Sequence, residues 1–331
     1  MSCKYPSQIS RRNFLKKPLG VALAAPLIMS VEERMLLAQT QAASTKTTPA
    51  TFGSMPNGKI GKVQISRLIC GGNLIGGHAH SRDLVYVSSL LKHYFTDEKI
   101  METWALCEEH GINTMVAFSR DLRAAELYRK YVKQGGKMQY IAQVFPEEND
   151  LITVVRKAAD DGAVGAFLLG NIGDLWTREG KLPLLGTLID VIKDNGMIAG
   201  IAGHELRTVQ AIEKAKIEPD FYVKTLHHTN YWSTRRPDQN KEVIDNYSVD
   251  NYWCMEPQET VDYMATVKRP WIAYKVLAAG AIPPKDGFRY AFANGADFGL
   301  IGMFDFQVRE NVEITKAVLA QTQQRPRTWC A

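Results

Sequence analysis

The chain has 331 residues, with 40 Lys and Arg against 35 Asp and Glu, a formal charge of +5. That excess is local, because residues 1–42 hold six basic and two acidic side chains, leaving 34 against 33 and a charge of +1. A near-neutral body gives no electrostatic case for a nucleic-acid partner, and about 275 folded residues suffice for one large domain or two small ones.

Residues 10–17 read Ser-Arg-Arg-Asn-Phe-Leu-Lys-Lys and precede an apolar run from Pro18 to Val31. That run of about fourteen residues is shorter than the roughly twenty a membrane-spanning helix needs, so it reads as a signal core rather than a stable anchor. The segment resembles a twin-arginine export signal, Ser/Thr-Arg-Arg-x-Phe-Leu-Lys, through Arg11, Arg12, Phe14, Leu15 and Lys16. The resemblance implies a protein that folds before export, the twin-arginine machinery as a partner, and a periplasmic or otherwise exported location. Small residues around Ala42 and Ala43 mark the expected cleavage region. Residues 43–58, rich in Ser, Thr and Ala, read as a flexible leader, and residues 59–331 as a single domain. No cysteine follows the apolar run until Cys70, so nothing points to a lipid anchor. Cys70 and Cys107 fall in predicted core elements and read as buried thiols, while Cys254 and Cys330 are the pair open to a disulfide.

From Gly61 onward short apolar runs alternate with amphipathic stretches eight times. The strand candidates are Ile65–Gly71, Ile112–Phe118, Gln139–Val144, Gly165–Gly170, Ile198–Ala202, Phe221–Leu226, Trp271–Leu277 and Phe298–Met303. Most are continuously apolar, as parallel strands buried on both faces must be. Thr96-Asp97-Glu98 opens a helix that stops at Gly111, Asn149-Asp150 opens one that stops at Gly162, and Pro183 precedes one that ends near Asn195-Gly196. Eight β-α repeats in this length predict an α/β fold, a (β/α)8 TIM barrel. A doubly wound open sheet is the alternative, but Cys70-Gly-Gly-Asn-Leu-Ile-Gly-Gly lacks the Gly-x-Gly-x-x-Gly spacing such a sheet uses for a dinucleotide.

Several segments are similar to the aldo-keto reductase family: Val63–Gly72, Glu109–Thr114, Ala273–Gly280 and Gly302–Val312. The resemblance implies the same barrel. The family's catalytic set does not carry over, because its aspartate falls at Val116, its lysine near Gln143 and its histidine at Gly170 or Asn171. No tyrosine occupies the loop after the second strand; the next one, Tyr128, lies in a predicted helix. Without the tyrosine acid and its lysine the reductase proton transfer has no agent. Gln307 and Asn311 fit the family's final nucleotide-side helix, but most of its basic nucleotide contacts have no match, so NADP is not expected.

Barrel chemistry sits in the loops after the strands. Those loops hold Asn73, His78, His80 and Arg82, then Glu147, Asn171 and Asp174, then His204-Glu205, His227-His228 and Trp232, then Lys275 and Asp305. Imidazoles and carboxylates from separate loops suit a zinc- or manganese-class divalent ion, with His204 and His228 as ligands and His80 or Glu147 completing the set. Lys275 interrupts an apolar strand, where an unpaired ammonium is costly. Lys275 or Asp305 is therefore the expected proton carrier, with Asn73, Arg82 and Trp232 facing the substrate. Aromatic residues beside arginines, including Trp176, Tyr231, Trp232, Tyr247, Tyr252 and Trp253, suit a carbohydrate-like small molecule and equally a protein–protein contact. The expected activity is a metal-dependent lyase, isomerase or hydrolase; the alternatives are a reductase with relocated catalytic groups and a non-catalytic binding protein.

Overall fold

The computed structural model describes residues 54–78, 84, 86–235, 254–322 and 324–331. The expected signal lies outside these residues, as do His80, Arg82, Tyr247, Tyr252 and Trp253. The described chain starts with a hairpin, β1 (Asn57–Ile60) and β2 (Val63–Ser66), paired antiparallel and turned at Gly61, whose φ of 55° suits glycine. Strand structure thus begins within the stretch read as leader. It also splits the first expected strand, whose first two residues belong to β2 and whose later part is β3 (Leu68–Cys70). The break is fixed by hydrogen bonds: the Ser66 N–H donates to Asn113 Oδ1 at 2.8 Å, and the Arg67 N–H donates to Pro56 O at 2.9 Å.

The remaining strands are β4 (Thr114–Phe118), β5 (Gln139–Val144), β6 (Gly165–Leu168), β7 (Ile198–Gly203), β8 (Phe221–Thr225), β9 (Trp271–Tyr274) and β10 (Phe298–Ile301). They pair in parallel in chain order from β3, and β10 closes on β3. The result is the closed eight-stranded TIM barrel that the alternation predicts. Around it run α1 (Val87–Tyr94), α2 (Asp97–Glu109), α3 (Leu122–Lys133), α4 (Ile152–Asp160), α5 (Gly170–Arg178), α6 (Leu182–Asp194), α7 (Leu206–Lys214), α8 (Pro257–Met264), α9 (Pro284–Ala293) and α10 (Asp305–Gln321). Their starts follow local chemistry. Thr96 Oγ1 accepts the Lys99 N–H at 3.2 Å ahead of α2, and Asp121 Oδ1 accepts the Ala124 N–H at 3.1 Å ahead of α3. Among the described residues no helix is long and apolar enough to cross a membrane.

The helix α5 occupies what the sequence read as a loop after the fourth barrel strand. This changes the role of Trp176, which is buried in the core between strands and helices rather than offered to a sugar. A tryptophan on the inner face of an amphipathic helix gains far more by covering apolar surface than by facing water.

Inside the barrel, Ile69, Val116, Ile141, Phe167, Phe221, Val223, Ile272 and Phe298 form one apolar stack. Ile60, Val63 and Ile65 of the hairpin join it from the end where the strands begin. That lower end is secured by the C-terminal tail. Asp297, fully buried, accepts the N–H groups of Trp271 and Cys330 at 2.9 Å each and lies 3.3 Å from Arg327 Nη2. Arg67 donates to Asp297 O at 3.0 Å and Ala331 O at 2.6 Å, and the guanidiniums of Arg67 and Arg325 lie 4.1 and 3.4 Å from the Trp329 ring centroid. Cys330 is therefore at the lower end, while Cys254 Sγ donates to Thr225 O at 3.6 Å at the upper end. Both are free thiols, so the disulfide left open between them does not form. A full strand length separates them, well beyond the roughly 7 Å Cα limit of a bridge.

Removing a buried carboxylate that faces arginines leaves their charges uncompensated. Asp297→Ala is expected to lower the unfolding free energy by about 3–5 kcal/mol. Glu147→Gln, which breaks an exposed pair with Arg120, is expected to cost under about 1 kcal/mol. Urea denaturation of the two variants checks the contrast.

Candidate active site

The densest polar chemistry lies where β6, β7, β8 and β9 end. After β6 the chain passes Leu169 and enters α5 directly at Gly170. One turn later Asp174 faces inward, almost fully buried. Its Oδ2 accepts the His204 N–H at 2.9 Å and meets His204 Nδ1 at 2.8 Å; its Oδ1 accepts the Glu205 N–H at 3.2 Å and the Thr208 hydroxyl at 2.7 Å. One carboxylate thus caps the start of α7 from a neighbouring helix and holds the imidazole that ends β7.

Glycines make this approach feasible. A Cβ on Gly173 would fall 2.2 Å from Ala202 O, and one on Gly203 would fall 3.0 Å from Asp174 Oδ1. A Cβ on Gly170 would fall 2.4 Å from the Tyr274 hydroxyl and 2.7 Å from His204 Cε1. The Tyr274 ring lies beside the imidazole, with centroids 5.2 Å apart.

Two lysines flank the pair. Lys224 is 1 % exposed and donates from Nζ to His204 O at 2.8 Å and to Thr225 O at 3.0 Å. Lys275 follows β9 with a left-handed φ of 58°, partly exposed, its Nζ 5.9 Å from the Tyr274 ring centroid.

Burial sets the charge states. Desolvation, joined by the positive charges of Lys275 and Lys224, pushes His204 well below the usual histidine range. Burial also raises the Asp174 carboxyl to about 6, against the pull of its hydrogen-bond donors. Near neutral pH this gives an ionised Asp174 and a neutral His204. The carboxylate can only accept, so Nδ1 carries the imidazole proton and Nε2 the lone pair. Desolvation brings the Lys275 amine down to about 7, so a large fraction is uncharged under ordinary conditions.

The other expected site residues are distributed around the rim. His228 packs edge-on to Tyr290, with centroids 5.3 Å apart, and its buried Nδ1 has no hydrogen-bond partner among the described residues. His227 is structural: its Nε2 accepts the Cys254 N–H at 2.8 Å and its Nδ1 donates to His228 O at 2.9 Å. Glu147 is exposed and paired with Arg120. Asp305 accepts from Tyr94 Oη at 2.5 Å and Lys99 Nζ at 3.0 Å, joining α10 to α1 and α2. Burial opposes its ionisation, but those two donors hold its pKa below the ordinary value. Asn73 lines a narrow cleft with Gly72, His78, Phe118 and Gln143 after β3 to β5. Trp232 is 89 % exposed.

His204 and Lys275 are thus brought together, whereas Glu147 and Asp305 are engaged with other partners. Among the described residues no three His, Cys, Asp or Glu side chains are grouped to hold a metal ion. Gln307 and Asn311 are engaged within α10, Gln307 Oε1 accepting the Phe304 N–H at 3.1 Å and Asn311 lying buried. Sequence reasoning gave no role to Asp174, Tyr274 or Lys224. The signal for Lys224 was present, since it interrupts an apolar strand just as Lys275 does.

No protein-family model matches the sequence, and no curated protein sequence matches it. Solved structures do. A Pseudomonas structure described as a candidate aldo-keto reductase of P. aeruginosa is 16 % identical over 80 % of this chain and 98 % of its own, with a TM-score of 0.54. A second such structure from that species is 17 % identical over 80 % and 94 %, with a TM-score of 0.53. A truncated 3-deoxy-D-arabino-heptulosonate 7-phosphate synthase from Thermotoga maritima gives 14 %, 82 % and 95 %, with a TM-score of 0.49. At these identities the likeness to the two Pseudomonas structures establishes the barrel and leaves the chemistry to the residues themselves.

The depressed Lys275 pKa has a consequence for stability. The unfolded chain binds the lysine proton up to about pH 10.4, whereas the folded chain releases it near 7. Between these values unfolding takes up a proton, so the contribution of Lys275 to stability improves as pH rises. Lys275→Met is expected to be more stable than wild type at pH 6, with the difference shrinking toward pH 10, as read by denaturant unfolding at both values.

Proposed function

We propose that this chain is an exported enzyme that moves a proton next to the carbonyl of a small, carbohydrate-like substrate, as a lyase or isomerase does. The observation that carries this reading is the buried Asp174–His204 pair at the C-terminal ends of the strands, with Tyr274 and Lys275 beside it. Removal of a proton α to a carbonyl requires a base within hydrogen-bond reach and a group that receives charge on the oxygen. His204 Nε2 is the base, because Asp174 fixes the tautomer and stabilises the imidazolium that forms. The Tyr274 hydroxyl and Lys275 are the donors to the developing oxyanion. Glycine at position 170 supports the assignment, since any side chain there would fill the space between His204 and Tyr274.

The test is solvent exchange of α-protons in deuterium oxide, followed by proton NMR over a panel of keto-sugars and aldoses. Wild type should exchange at least one. His204→Gln should lose about 10²–10⁴-fold, the usual contribution of a general base, and Asp174→Asn should lose activity through the wrong tautomer. Incubation with EDTA should leave the rate unchanged. Loss on EDTA with recovery on zinc or manganese would restore the divalent-ion chemistry expected from the sequence.

A second reading has one observation in its favour. Asp174 of α5, His204 after β7, and Tyr274 and Lys275 at the end of β9 supply the four residue types of the aldo-keto reductase site, which suits a reductase with relocated groups. NADPH titration separates the two: binding tighter than millimolar with turnover of a carbonyl compound would favour the reductase.

Export rests on Ser10–Lys17. Changing Arg11 and Arg12 to Lys should leave the precursor in the cytoplasm by fractionation, and N-terminal sequencing of the exported protein should begin between Ala42 and Thr51.

A further inference from the structure

We propose that Lys275 is a covalent nucleophile that forms an imine with the carbonyl carbon of an aldehyde or ketone substrate, with His204 relaying the protons. This rests on the acid–base reading above and specifies how the carbonyl is held. The two lysines of the site differ in a way that assigns their roles. Lys224 directs its protons at two backbone carbonyls and is wholly enclosed, which makes it a structural tie across the β7–β8 end. Lys275 is the partly exposed member, and it ends a strand whose preceding residue, Tyr274, flanks the imidazole.

The backbone at Lys275 adopts a left-handed conformation with φ of 58°. A non-glycine residue adopts this region at a cost of roughly 1–2 kcal/mol, and such strain persists where the surroundings enforce it, often at functional positions. Here it directly follows the last residue of β9, the amine lies 5.9 Å from the Tyr274 ring centroid, and its charge is among the causes that depress the His204 imidazole. The desolvated amine, with a pKa near 7, keeps the lone pair that addition requires.

The steps balance without an oxidant or reductant. The amine lone pair forms a C–N bond as the carbonyl π pair moves to oxygen. A proton passes from nitrogen to that oxygen by way of His204 Nε2, giving a carbinolamine. A further proton from solvent, delivered through the same imidazole, converts the hydroxyl to water. Water leaves as the nitrogen lone pair completes the C=N bond of a protonated imine. That cation then acidifies the neighbouring C–H for removal by His204.

Borohydride trapping tests the proposal. Full-length protein is incubated separately with glycolaldehyde and with pyruvate, reduced with sodium borohydride at pH 6, 7 and 8, and mapped by peptide mass spectrometry. The reduced adduct should lie on Lys275, rising with a midpoint near pH 7. It should far exceed labelling of the exposed Lys214 and Lys285. Adducts spread over surface lysines with Lys275 unlabelled would overturn the proposal, and this readout needs only the wild-type protein. Lys275→Arg, checked for a native melting transition, separates the two ideas. Exchange of α-protons that survives this substitution rejects the imine and leaves the acid–base reading standing. Trapping at Lys275 with no exchange in any substrate rejects the acid–base reading and leaves the imine.

Discussion

A carboxylate buried without water must find its donors within the protein, and that requirement at Asp174 organises the upper half of this barrel. The oxygens take two backbone N–H groups, a hydroxyl and an imidazole. Satisfying them demands that α5 begin at Gly170 with no intervening loop, that α5 lie close on β7, and that α7 begin at Leu206. The glycines at 170, 173 and 203 follow from the same demand, because a methyl group at each would collide with backbone or with the site itself. The imidazole tautomer follows too, and with it the position of the lone pair on Nε2. One anion thus connects helix placement, glycine usage and acid–base potential.

Asp297 meets the same electrostatic problem at the other end and reaches a different outcome. It is compensated by Arg325, Arg327 and the N–H groups of Trp271 and Cys330, and Arg325 stacks on Trp329. At the upper end Asp174 meets a neutral imidazole, backbone N–H groups and a hydroxyl, with the charge of Lys224 acting on it from nearby. Barrels commonly divide labour in this way, with stability at the N-terminal face and chemistry at the C-terminal face.

The barrel was legible because buried parallel strands are continuously apolar and their helices carry strong caps, as at Thr96 and Asp121. His204 and Lys275 were legible as candidates because a polar residue at the end of an apolar strand has few structural explanations. Asp174 was seen only as a loop residue. Its role depends on α5 starting immediately after β6 and on partners thirty residues along the chain, neither of which periodicity reports. Tyr274 was hidden by its type, since an aromatic in a core strand is ordinarily packing. For Glu147 and Asp305 the sequence located the correct end of the barrel, but whether a carboxylate turns toward the axis or toward Arg120 or Lys99 is set by rotamer and by neighbours distant in sequence. The hairpin boundary at Ser66–Arg67 was obscured because β2 and β3 together read as one apolar run.

The histidine that does no chemistry has its own consequence. His227 has both ring nitrogens engaged, one by Cys254 and one by its neighbour's carbonyl, and burial keeps it neutral by bringing its pKa to about 4. It therefore fixes Cys254 against the end of β8. Because lengthening a closed segment adds only about 0.6 kcal/mol for each doubling of its length, a clamp of this kind tolerates a change in the number of residues between Arg235 and Cys254. Related barrels that kept this clamp would be free to diversify in what they admit to the mouth while inheriting an unaltered floor.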